Sequence, residues 1–117
     1  MFGLNKKKKE KPTITEKMVV EKNVMNTLKQ IFDPEIPVNV FDLGLIYEID
    51  VQDDMFVKVI MTLTAPNCPV AESLPNEIKE KVAATEGVKD AEVELTFEPT
   101  WNQDMMSEEA KLDLGFL

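Results

Sequence analysis

The 117-residue sequence predicts one α+β domain: a small three-stranded mixed sheet with helices on one face, in the order α-β-β-α-β-α. Three observations predict it. Two stretches repeat apolar residues at helical spacing, three alternate apolar and polar residues, and the first two alternating stretches are joined by only a few polar residues. A hairpin followed by a helical crossover to a third strand gives a mixed sheet, since such crossovers run right-handed and return parallel.

The first helix begins at Thr13 to Glu16, which fit a capping box with Pro12 just outside. The run EKMVVEKNVMNTLKQIF then sets Val20, Val24, Leu28 and Ile31 on one stripe. The helix is expected to stop at Asp33, because a residue before proline is pushed out of the α region. The segment DPEIPV, with two prolines, reads as an extended loop. Leu45, Tyr47, Ile49 and Val51 alternate with Ile46, Glu48 and Asp50 as a first strand. Gln52, Asp53 and Asp54 turn the chain. Val57, Val59, Met61 and Leu63 alternate with Lys58, Ile60, Thr62 and Thr64 as a second strand.

After TAPNCP, helical spacing returns at Ala71, Leu74, Ile78 and Val82, and Gly87 is suited to terminate that helix. Pro75 is tolerable only near the first turn. Ala91, Val93, Leu95 and Phe97 alternate with Glu92, Glu94, Thr96 and Glu98, a third strand with one acidic, solvated face, ended by Pro99. Ser107 is placed to cap a last short helix, SEEAKLDL, with Glu108 and Glu109 favourable in its first turn. Residues 13–117 form the single domain, and residues 1–12 a flexible lysine-rich tail. A three-stranded sheet leaves open edges, so a homodimer is expected.

Charge narrows the function. The net charge is −9, yet the first twelve residues hold five lysines against one glutamate, a local +4 that leaves −13 on the other 105. An acidic body disfavours nucleic acid as a ligand. All thirteen basic residues are Lys, so the bidentate fork of Arg for phosphate or carboxylate is missing. No apolar run is long enough to span a membrane, and the N-terminus lacks a signal-peptide core. A single cysteine with no export signal points to the cytoplasm, where thiols stay reduced.

That cysteine, Cys68, lies in TAPNCP between Pro66 and Pro69, at the handover from the second strand to the second helix. A helix N-terminus favours thiolate over thiol. The prolines would hold the sulfur in one direction, with Thr64 and Asn67 as polar support. A lone cysteine is equally at home as a small buried hydrophobe. The sequence has no His and no second Cys, which removes the usual cysteine hydrolase, the dithiol oxidoreductase and the closed zinc site. Iron–sulfur chemistry with one sulfur per subunit at a shared or transient site fits best.

Two further groups stand out. Asp33 and Glu35 flank Pro34, followed by Asp42 in DLGL. Such acids solvate turns, or, beside Cys68, ligate iron, shuttle protons and oppose thiolate formation. Near the C-terminus, PTWNQDMM carries Trp101, Met105 and Met106, either packed on the core or forming a partner surface.

Taken together, DPEIPVNVFDLGLIYEIDV, VIMTLTAPNCPV and GVKDAEVELTFEPTWNQDMMSEEAKLDLG closely resemble the SufT/PaaD-like family of metal–sulfur cluster biosynthesis domains, from about residue 20 to the C-terminus. The resemblance implies a two-layer sandwich like the iron–sulfur cluster assembly domain in the C-terminal part of NifU-like proteins. It implies a non-enzymatic accessory factor in iron–sulfur protein maturation, with a related branch assisting assembly of a phenylacetyl-CoA oxygenase. By the same resemblance Asp33, Glu35, Thr62, Thr64 and Cys68 gather at one surface site, together with Asn67, where many relatives carry glycine. Asn tolerates left-handed backbone better than most residues. The cofactor implied is a transient iron–sulfur cluster with Cys68 as a transient ligand, in a form that can bridge two chains. The partners implied are iron–sulfur scaffold or carrier proteins and apo client proteins. Two alternatives stay open: a non-metal-binding adaptor between assembly machinery and clients, and a thiol enzyme with Asp33 or Glu35 as base.

Overall fold

A computed structural model describes residues 12–33, 36–64 and 73–116. The elements, in order, are α1 (Ile14–Leu28), β1 (Ile46–Val51), β2 (Phe56–Met61), α2 (Ser73–Ala83), β3 (Asp90–Leu95), a 3₁₀ turn (Gln103–Met105) and α3 (Glu108–Asp113). This is the expected α+β order. The sheet runs β1-β2-β3, with β1 antiparallel and β3 parallel to the central β2. The lysine-rich tail lies, apart from Pro12, outside the described residues.

Both long helices pack on the sheet, α1 against β1 and α2 against β3, and they touch each other. The capping box of α1 is complete: Thr13 Oγ1 accepts from Glu16 N at 3.0 Å, and Glu16 Oε1 accepts from Thr13 N at 2.8 Å. Val20, Val24 and Leu28 from α1, with Leu74, Ile78 and Val82 from α2, meet Val57, Val59 and Met61 of β2 in one buried core. Pro75 sits in the first turn of α2, where a missing N–H costs no helical hydrogen bond. Ser107 caps α3 as expected, its Oγ accepting from Ala110 N at 3.1 Å. Among the described residues, no helix is long and apolar enough to cross a membrane.

Two local expectations need correction. α1 ends at Leu28, well before Asp33. Gln30 N and Ile31 N bond back to Thr27 O and Leu28 O, closing a tight last turn, and Ile31 O then accepts from Val40 N at 2.8 Å. Ile31 still belongs to the core, but as part of a loop in which Phe32 bridges Asn39. In β1 the simple alternation fails at Tyr47. Ile46 pairs with Met61 and Glu48 with Ile60, so Tyr47 is an inserted bulge residue. Its hydroxyl donates to Pro99 O at 2.7 Å, tying the edge strand to the C-terminal segment.

Candidate functional site

The end of the sheet where β2 finishes and β1 begins is built by a relay of main-chain hydrogen bonds. Val40 N donates to Ile31 O at 2.8 Å, Leu45 N to Val40 O at 3.2 Å, and Thr62 N to Leu45 O at 2.8 Å. The loop that follows α1 is thereby sewn to the first residue beyond β2. Thr96 N also donates to Met61 O at 2.8 Å, so the exit of β3 reaches the same end.

Asp33 stands in this loop, 5% exposed. Its Oδ1 accepts from Ile36 N at 3.0 Å, and its own N–H donates to Val38 O at 3.3 Å. A buried carboxylate that accepts a backbone N–H is held in one orientation, at the start of the DPE motif. Asp42 answers a different demand. Its N–H donates to Asn39 Oδ1 at 2.8 Å and its Oδ2 accepts from Asn39 Nδ2 at 2.9 Å, a mutual clasp that shapes the turn into DLGL. Gly44 adopts φ +83°, and a Cβ there would run into the Met105 carbonyl. The glycine therefore admits the 3₁₀ turn against the loop, where Ser107 N donates to Asp42 O at 2.8 Å.

Thr62 is 0% exposed, and its Oγ1 has no hydrogen-bond partner among the described residues. Unpaired buried hydroxyls are uncommon because losing water without replacement costs free energy. Thr64 is partly exposed and lies at the edge of the described residues. Glu35, Asn67 and Cys68 fall on 34–35 and 65–72 and lie outside the described residues, as does Ala71 of the expected second helix. The described part of α2 begins at Ser73, directly after that segment. Among the described residues, no three His, Cys, Asp or Glu side chains group as metal ligands.

The three C-terminal candidates divide. Trp101 is half-buried, and its Nε1 donates to Leu43 O at 2.7 Å, fixing the indole against the loop. Met105 lies with its sulfur 3.6 Å from the Tyr47 hydroxyl. Met106 is 6% exposed and joins the core. Trp101 and Met106 line a cleft of about 340 Å³ with Ile36, Pro37, Leu114 and Phe116, next to Asp33's loop. Sequence reasoning missed the roles of Asn39, Gly44 and Tyr47. The Asn39-x-x-Asp42 spacing is a turn signal that could have found the clasp, whereas the contacts of Gly44 and Tyr47 involve residues 99 and 105, far along the chain.

Comparison with known proteins sets this arrangement in a family. Residues 21–95 match the model of the iron-sulfur cluster assembly protein family. The chain is 56% identical over 102 residues to the Fe-S protein maturation auxiliary factor of Porphyromonas gingivalis, covering 87% of this chain and 97% of that protein. It is 40% identical to the Fe-S protein maturation auxiliary factor YitW of Bacillus subtilis, with 82% and 94% covered. A crystal structure of a domain of unknown function from Bacillus anthracis superposes with a TM-score of 0.82 at 26% identity, covering 90% of this chain and all (100%) of that one. A conserved hypothetical protein from Thermotoga maritima gives 0.70 at 41% identity, with 81% and 93% covered. With residues 21–95 matched by that family's model and most of its length in common with these relatives, the chain belongs to the iron-sulfur cluster assembly protein family.

Proposed function

We propose that the chain is an accessory factor in iron–sulfur protein maturation, which transfers a cluster or helps insert it into apo-proteins, with Cys68 as a transient thiolate ligand. The observation that carries this reading is the near-full-length match to proteins named as Fe-S protein maturation auxiliary factors. Local chemistry supports the site. Thr62, with its unpaired hydroxyl, stands six residues before Cys68 and is tied through Leu45 and Val40 to the loop of Asp33. An O–H that donates to a sulfur stabilises thiolate over thiol. One thiolate per chain leaves most iron coordination to other ligands, from a second copy, a carrier or a small thiol, so the cargo stays releasable. The role is one of binding and handover rather than turnover. It takes iron–sulfur scaffold or carrier proteins and apo clients as partners, in the reducing cytoplasm, with a homodimer where one cluster bridges two chains.

Anaerobic reconstitution with iron and sulfide, run on the native chain and on Cys68→Ser with native mass in the same sample, tests this. Visible absorption that depends on Cys68 is expected. Equal cluster uptake by Cys68→Ser, with full support of cluster-dependent enzymes in cells, would remove the thiol from the mechanism. A second reading, a metal-free adaptor joining machinery to clients, is favoured by the apolar cleft at Trp101. It expects a colourless protein that still co-purifies with assembly components.

A further inference from the structure

We infer that the cleft at Trp101 receives an apolar side chain from a partner protein, presented on a segment rich in lysine or arginine. The proposal deepens the maturation role by naming the partner's chemistry, and its test uses neither Cys68 nor a cluster.

The shape comes first. Ile36 and Pro37 of the loop, Trp101, Gln103 and Met106, and Leu114 with Phe116 line it. At about 340 Å³ the cleft lies at the lower end of ligand-pocket sizes, suited to one or two side chains. The indole is already held by its hydrogen bond to Leu43 O, so binding need not order it. Phe116 of the lining, at 49% exposure, is a large apolar side chain left open to solvent.

The charge of the segment that lines the cleft then selects the occupant. Asp104 follows Gln103 of the lining, Asp113 precedes Leu114, and Glu108 and Glu109 lie on α3 between them. All four are exposed, and no cation pairs with them among the described residues. Only Lys111 opposes them in that stretch. An apolar slot lined by a segment that carries four exposed acids against one lysine, on a chain of net charge −9, attracts a cationic segment and repels an acidic one. The same repulsion disfavours a second copy docking through this face. The chain's own lysine-rich tail is cationic too, and charge reversal of its lysines tests it as the occupant.

Trp101 is the only tryptophan, so its emission reports the cleft directly. The full chain is titrated with acetyl-Lys-Lys-Phe-Lys-Lys-amide and, separately, with the same peptide carrying Ala for Phe or Glu for every Lys. A saturable emission change is expected with the first, at least about tenfold tighter than with either control and weakened by added salt. Phe116→Ala and Asp113→Lys, each checked for folding by circular dichroism, should weaken it. The proposal is overturned by no saturable change, by equal binding of the Ala peptide (charge alone), or by equal binding of the Glu peptide (no charge selection). It is also overturned if Lys6→Glu, Lys7→Glu, Lys8→Glu and Lys9→Glu together shift the emission of the unliganded chain, which makes the tail the occupant. Emission that changes with protein concentration overturns it in favour of a second copy.

Discussion

Replacing Thr62 by Val removes a hydroxyl and keeps the shape. Thr62 is fully buried and its Oγ1 is unpaired among the described residues. Folding therefore strips that hydroxyl of water and returns nothing, at a cost of about 1–3 kcal/mol. Valine fills nearly the same volume and is as content in an extended segment. Thr62→Val is expected to stabilise the fold by about 1 kcal/mol or more. For 117 residues the unfolding entropy is roughly 0.25 kcal/mol/K, so each 1 kcal/mol raises the melting temperature by about 4 °C. Urea unfolding of the full chain, followed by far-UV dichroism, should show a higher midpoint at unchanged slope. A loss of about 1 kcal/mol would refute the reasoning, because it would mean that the hydroxyl is engaged in the folded state. The same variant separates stability from role. A hydroxyl retained against its own folding cost is best explained by work outside folding. In anaerobic reconstitution Thr62→Val should hold less Cys68-dependent cluster than the native chain, and Thr62→Ser should recover most of it. Equal loading by Thr62→Val would leave the hydroxyl without a part in cluster handling.

Other perturbations test the frame around the site. Gly44→Ala should cost about 2–4 kcal/mol, from its positive φ and the displaced Met105 carbonyl, read as a fall in urea midpoint. Trp101→Phe leaves Leu43 O without its indole donor and should cost about 1–2 kcal/mol in the same measurement. Thr13→Ala breaks the capping box and should cost about 1 kcal/mol, with fraying confined to the first turn of α1 by amide exchange. On the sheet's outer face Lys58 is held above its ordinary pKa of 10.5, first by the hydrogen bond to Glu94 and then by that carboxylate's charge. A raised lysine pKa adds stability that is fully present below 10.5 and disappears as pH rises through the folded value. Titration of the Lys58 side chain by NMR should show the higher midpoint, and Glu94→Gln should bring it back toward 10.5.

What the sequence discloses here is whatever repeats locally. The α1 stripe of Val20, Val24 and Leu28, the capping box at Thr13 and the Ser107 cap follow from spacings within one element, and the structure has them. The end of α1 does not follow, because the hydrogen bond from Val40 to Ile31, not Pro34 alone, draws the chain out of the helix. Tyr47 likewise obeys period two in the sequence, yet a bulge turns its hydroxyl to Pro99, half a chain away. The site divides along the same line. The motif residues Asp33 and Thr62 can be picked out by type, but what joins their segments is a backbone relay through Val40 and Leu45, whose side chains carry no functional signal. Glu35 and Cys68 fall outside the described residues, so for them the sequence motif still stands alone. The C-terminal acids show the converse. Glu108 and Glu109 read in sequence as first-turn residues of a short helix, and only the packing of the C-terminal segment on the loop through Gly44 and Trp101 brings that segment to an apolar slot. Loss of that packing should therefore abolish peptide binding at Trp101 even where every acid of the segment remains, which ties Gly44→Ala to the cleft as well as to stability.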